Sequence, residues 1–272
     1  MASLRPVQSV LAFLTILPIA GVEKGGGRHL DYDIHYIARN MYLFPLAGAV
    51  IGVIIGGMAY GTSLFLPPLM VGLLVAGALV IITGVHHTDA LADFADGMMA
   101  KGGKEVKRKA MMDPAVGSAG VAALVMYFAG MIIVFNTGFP GIKIFTSIVA
   151  AEVIAKYVMV LLTFKGTSAW EGFSSPFTAA MRDNGRKKML AATAIMAPIV
   201  WLASGYAGIA AVGVAVALGA LLRHVSKRSF GGISGDVLGA SNEISRLAAL
   251  VVLSTMTAGA AGWEMMVVVM LQ

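Results

Sequence analysis

The chain has 272 residues, 58% of them hydrophobic and only 12% charged, with a formal net charge of +6. Soluble domains carry about 25% charged residues, so a soluble globular enzyme is excluded, and a mean hydropathy of +0.84 points to an integral membrane protein. The absence of cysteine excludes disulfides and thiolate metal sites, and the excess of positive charge is better matched to membrane topology than to nucleic acid.

In chain order, the first apolar stretch is residues 6–21, broken by Thr15 and Pro18 and followed by no small-residue cleavage site. It reads as a short span or an interfacial helix of the mature protein rather than a signal peptide. Residues 43–60 and 69–85 are the next two apolar segments, long enough to cross about 30 Å of hydrocarbon as helices. Directly after them comes "HHTDALADFADG", residues 86–97. Asp89, Asp93 and Asp96 fall at i, i+4 and i+7, within a sector about 60° wide on a helix. Like charges so placed repel, so a cation is expected between them. Mg²⁺ suits an all-oxygen ligand set completed by phosphates, and zinc is less suited without cysteine. The competing reading is a solvated helix end, where acidic residues complement the helix dipole.

Residues 101–120, "KGGKEVKRKAMMDPAVGSAG", follow. Lys101, Lys104, Lys107, Arg108 and Lys109 can attract a polyanionic substrate or anchor the topology against anionic lipid. Asp113 before Pro114 has the pattern of an N-cap with proline at N1, and capping alone would account for it. Further apolar spans are expected at 116–135, 143–163, 189–204, 207–222 and 247–270. Glu152 and Lys156 lie inside the second of these at i,i+4 and are expected to neutralise each other. His29, His35 and His224 show no ligand spacing. Before the last span, "SFGGISGDVLGASNE", residues 229–243, is a glycine-dense turn. Its backbone can approach phosphate closely, and Ser234 or Asp236 can cap the helix that follows.

The loops alternate between long polar ones (22–42, 86–115, 164–188, 223–246) and short, nearly uncharged ones. The polar set holds 17 of the 20 Lys and Arg, 12 of the 14 acidic residues and all five histidines. The positive-inside rule places this set in the cytoplasm, and its acids and histidines suggest a site on that face. The expected fold is all-α: a single membrane-embedded domain over 1–272, a polytopic bundle of about seven transmembrane helices plus an N-terminal apolar helix, in the plasma membrane.

These residues carry a family resemblance. "VHHTDALADFADG" resembles the acidic stretch of the cobalamin synthase (adenosylcobinamide-GDP ribazoletransferase) family at His87, Asp89, Asp93, Asp96 and Gly97. "KRKAMMDPAVGSAG" resembles its second block at Asp113, Gly117 and Gly120, and "GGISGDVLGA" a third at Gly231, Gly232, Ser234, Gly235, Asp236 and Gly239. The sequence departs from the pattern at Ala90, where glycine is usual, at Phe94, usually small and polar, and at His86, usually apolar. The resemblance implies a Mg²⁺-dependent enzyme that transfers the adenosylcobinamide phosphoryl group from adenosylcobinamide-GDP to α-ribazole or its 5'-phosphate and releases GMP. On that reading Asp89, Asp93 and Asp96 hold the metal. Asp113 or Asp236 takes the acceptor proton, with His87 as a competing base. Lys107 and Arg108 meet the diphosphate, and Gly231, Gly232 and Ser234 contact substrate. The expected partners are these two substrates and lipid, with no nucleic acid and with a homo-oligomer left open. A CDP-alcohol phosphotransferase requires D-G-x-x-A-R, but Gly97 precedes "MMAKGG". A cation-coupled transporter would place its acids near the bilayer midplane, whereas these lie at one edge.

Overall fold

The computed structural model describes residues 4–19, 33–136 and 139–271, with side chains through residue 258. Its helices are α1 (Arg5–Leu14), α2 (Ile34–Arg39), α3 (Phe44–Ser63), α4 (Pro68–Thr83), α5 (His86–Met99), α6 (Lys104–Met111), α7 (Ser118–Ile133), α8 (Lys143–Thr163), α9 (Ser175–Arg182), α10 (Gly185–Ser229) and α11 (Gly235–Leu271). No strand forms among the described residues; a single bridge pairs Ser168 with Ile233.

The centre of the bundle is α8, buried on nearly every face, as a helix that is apolar all round but for the paired Glu152 and Lys156 requires. Against it lies α3, whose Gly48, Gly52 and Gly56 recur every fourth residue. A Cβ on Gly48 would stand 2.5 Å from the Glu152 carbonyl oxygen, and one on Gly52 would stand 2.7 Å from the Val149 Cα. Only glycine lets two backbones approach so closely, which is how helices gain packing energy where water supplies no driving force. Val53, Ile54, Leu73, Leu74, Val125 and Met126 point away from the protein interior and give the spans their lipid-facing surface.

Among the described residues five helical stretches are long and apolar enough to cross a bilayer: Met41–Ser63, Ser118–Asn136, Lys143–Thr163, Gly185–Ser229 and Gly235–Ala258. The long α10 is two arms joined at Gly205, whose φ of 53° no helix interior adopts. The arms fold back on each other, because a Cβ on Gly208 would lie 2.6 Å from Val200 Cγ1. Thr193 on one arm meets the Tyr157 hydroxyl of α8 at 3.1 Å, and Gly219 on the other packs against Val158. The expected spans 189–204 and 207–222 are therefore these two arms. Residues 6–19 contribute the ten-residue α1, too short to cross a bilayer, with Val10, Ala12 and Leu14 buried. His29 and the rest of 20–32 lie outside the described residues.

Two boundaries differ from the sequence expectation. The last helix starts at Gly235 rather than near 247, so residues 235–246, taken as loop, are helical and largely buried. Asp113 does not start a helix: its Oδ1 accepts from the Ala115 amide at 2.9 Å, closing a local turn, and α7 begins only at Ser118. Proline at 114 is compatible with that turn as well as with a helix start.

Candidate active site

The acidic segment forms its own helix because the chain turns sharply before it. Gly84 and Val85 adopt successive left-handed conformations, φ 70° and 69°, and α5 leaves α4 at 96°. A β-branched residue holds that conformation only where its surroundings impose it; here the Ile16 amide donates to the Ile82 carbonyl at 2.8 Å and braces the bend. Short, and carrying three aspartates, α5 is no span by itself, but with α4 it has the length and apolarity of one bent crossing. It packs on α11, where Gly239 has no room for a Cβ: one would sit 2.5 Å from the Cβ of Ala90.

The three aspartates share a face and divide their surroundings. Asp96 is committed to α7. Its carboxylate accepts from the amides of Gly117 at 2.7 Å and Gly120 at 2.8 Å, satisfying donors at a helix N-terminus that have no intrahelical partner. Glycine is required at both positions, since either Cβ would come within 2.5 Å of that carboxylate. Asp89, near the other end of α5, lines a cavity of about 420 Å³ together with His87, Asp236 and Trp170. Asp93 stands between. Desolvation first, and then the charges of Asp89, Asp236 and Asp96, push its carboxyl up to about 6. Negative charge is thus concentrated here beyond what the protein alone neutralises.

The cavity's opposite side is built by the first residues of α11, Gly235, Asp236, Leu238 and Gly239, into which the glycine-dense turn leads. Ser234 caps α11, its Oγ accepting from the Val237 amide at 3.2 Å, and it also lies 3.3 Å from Asp236 Oδ2. Gly231 takes a φ of 92°, and a Cβ on Gly232 would lie 2.4 Å from the Thr167 carbonyl. The turn is pinned there by Ile233, whose amide donates to Thr167 O and whose carbonyl accepts from the Ala169 amide, each at 2.9 Å. These glycines and Ser234 serve backbone packing and do not line the cavity.

Of the expected cations, Lys107 donates to the Met98 carbonyl and closes the C-terminus of α5. Arg108 lies 4.5 Å over the ring of Trp170, which brings its charge to the cavity wall. Asp113 is exposed and absent from the lining. His87 is buried, with Nδ1 3.2 Å from Asn242 Nδ2. Burial, reinforced by the charges of Lys156 and Arg246, holds its imidazole well below the ordinary value, so it is neutral.

Among the described residues no three Asp, Glu or His side chains form a ready metal cage. The donor set is nevertheless one that Mg²⁺ accepts, since that ion is commonly bound by one or two carboxylates with the remaining positions taken by water and substrate phosphate.

A model of cobalamin-5-phosphate synthase matches residues 6–254. The chain belongs to that family. Three archaeal and bacterial proteins named adenosylcobinamide-GDP ribazoletransferase are similar to it along almost their whole length. The one from Methanocella arvoryzae is 32% identical, covering 91% of this chain and 94% of its own. That from Halorubrum lacusprofundi is 31% identical over 91% and 95%, and that from Geotalea daltonii 30% over 89% and 94%. No solved structure matches the chain.

Two groups of residues escaped the sequence reading of this family member. Phe13, Phe44, Trp170, Phe173 and Phe177 line the cavity; the aromatic density of "SAWEGFSSPF", residues 168–177, was the available signal. The second group is a buried ionic network. Arg246 pairs with both Glu152 and Glu243 and donates to the Tyr127 hydroxyl at 3.0 Å. Lys156 donates to Asn242 Oδ1 at 2.7 Å and lies 3.6 Å from Glu152. The expected pairing of Glu152 with Lys156 is present, but Arg246 is the closer partner, and Asn242 joins the network to His87.

Proposed function

We propose that this protein is an adenosylcobinamide-GDP ribazoletransferase. It moves the adenosylcobinamide phosphoryl group from its GDP-activated form to a hydroxyl of α-ribazole or its 5'-phosphate, and GMP leaves. The observation that carries the reading is the coincidence of the family match with a cavity walled by Asp89 and Asp236, two of the five aspartates that the family resemblance singles out. A multi-pass membrane protein with most of its basic residues on one set of loops fits a plasma-membrane location with this cavity open to the cytoplasm.

Asp89 and Asp93 would hold Mg²⁺ jointly with the oxygens of the substrate diphosphate. When bound, that ion supplies charge neutralisation at the diphosphate and at the departing GMP phosphate, the main requirement of phosphoryl transfer. Asp96 acts at a distance, fixing α5 against α7. Asp236 is the best-placed base for the acceptor hydroxyl, because it lines the cavity and is half-buried. His87 lines it too but is tied to Asn242, which suits orienting the wall. Asp113, facing solvent in its own turn, is the weakest of the three candidates. Arg108, stacked on Trp170, meets diphosphate charge at the rim.

The test is GMP release by purified protein in detergent given adenosylcobinamide-GDP, α-ribazole and Mg²⁺. Asp93→Asn is expected to reduce turnover about 100-fold or more while the protein remains folded; turnover near that of the parent would remove Asp93 from the machinery.

A further inference from the structure

We infer that the phenylalanine cage on the cavity's apolar side, Phe13, Phe44, Phe173 and Phe177, binds the aromatic base of the acceptor nucleoside and thereby sets the depth at which its ribose meets Asp89 and Asp236. The inference rests on the transferase reading above and assigns one of its two substrates to this cavity.

The four rings come from three separate parts of the fold: α1, α3, and α9 with the segment that leads into it. Phe13 stacks on Phe173, centroids 5.8 Å apart and planes within 16°, and approaches Phe44 and Phe177 at 6.2 and 5.8 Å. Phe44 and Phe177 are each 1% exposed and form the floor, whereas Phe173 keeps 55% of its surface open although it lies against the same cluster. An aromatic ring left half open beside a packed aromatic floor presents a face on which a further ring can stack. The volume of about 420 Å³ lies in the range that encloses a small ligand of drug size. That accommodates a nucleoside and excludes a corrinoid.

The polarity of the wall separates the acceptor base from guanine. Guanine presents polar groups around most of its rim, and burying them without partners costs about 1–3 kcal/mol each. The floor offers phenyl rings, Leu14 and Met159. The nearby hydroxyls have committed their protons, Thr83 to the Leu79 carbonyl at 2.8 Å and Ser174 to the Ile233 carbonyl at 2.8 Å, so neither can donate to the O6 or N7 of guanine. A base with little to hydrogen-bond along its edge fits this wall, and the carboxylates opposite are left for the sugar hydroxyl. The GDP-activated corrinoid then approaches from the Arg108 side, its bulk outside the cavity.

Phe173→Leu removes the open ring while leaving the buried floor in place, and Phe13→Leu serves as an independent second variant. Steady-state GMP release is measured with each substrate varied in turn. The KM for α-ribazole is expected to rise about five- to tenfold in Phe173→Leu, with kcat and the KM for adenosylcobinamide-GDP within twofold of the parent, and Phe173→Trp is expected to restore the parent KM. A rise confined to the KM for adenosylcobinamide-GDP, or no change in either, overturns the assignment. Direct binding of benzimidazole and of guanosine to the full-length protein separates this inference from the transferase reading. Should the parent protein release no GMP, benzimidazole binding that Phe173→Leu weakens would still support an aromatic-base cage, while equal or preferential binding of guanosine would overturn it.

Discussion

Seven residues of helix advance about 10.5 Å along the axis, and that distance separates Asp89 at the cavity from Asp96 at the N-terminus of α7. Two predictions follow from the division. Asp96→Ala leaves the Gly117 and Gly120 amides without their acceptor, and is expected to cost about 1–3 kcal/mol, read as a lower thermal midpoint in detergent. Asp89→Asn removes a repelling charge and is expected both to leave that midpoint unchanged or slightly raised and to abolish GMP release. The third prediction concerns pH. Asp93 in the folded protein holds its proton up to about 6, against 3.8 ordinarily, so the fold binds this proton more tightly than the unfolded chain does. Its contribution to stability is therefore fully present below the ordinary value and is lost as pH rises through about 6. Mg²⁺ competes for the ionised form, so the thermal stabilisation given by millimolar Mg²⁺ is expected at pH 7.5 and should fade below pH 6; stabilisation independent of pH would speak against Asp93 as a ligand.

At the scale of elements, the glycine stripe of α3 and the bend between α4 and α5 place the site. Gly52→Ala would drive a methyl to within 2.7 Å of the Val149 Cα, and the resulting overpacking is expected to cost about 1–3 kcal/mol. Gly57→Ala, on the open face of the same helix with nothing within 4 Å, should be neutral or slightly stabilising. Comparing the two midpoints checks whether α3 and α8 are held by backbone proximity rather than by general helix propensity. Which of the chain's glycines face a partner was not legible in the sequence, because periodicity gives a face and not the neighbour behind it.

Over the whole molecule, the buried network joins α7, α8 and α11 and ends at His87 in the cavity wall. Arg246 faces two carboxylates at 1% exposure. Arg246→Met would strand Glu243 as an uncompensated buried charge, leaving Glu152 only Lys156, and is expected to destabilise by about 3–5 kcal/mol, observed as loss of folded protein on size-exclusion chromatography in detergent. The sequence reading caught Glu152 and Lys156, because ions inside an apolar span stand out, but it missed Arg246 and Asn242. Those two belong to a stretch whose polarity resembled a loop, and only their packing against α8 makes it an interior helix.

Composition, the lengths of the apolar runs and the alternation of basic loops were enough to establish an all-α polytopic membrane protein and to mark its acidic segment, since these depend on the cost of placing backbone and charge in hydrocarbon. Helical periodicity put Asp89, Asp93 and Asp96 on one face for the same local reason. Tertiary structure alone decided which of them faces a cavity and which caps another helix. It also brought Phe13, Phe44 and Phe173, far apart in the chain, into one wall. Those outcomes depend on where separate helices meet, and no local pattern of residues encodes that.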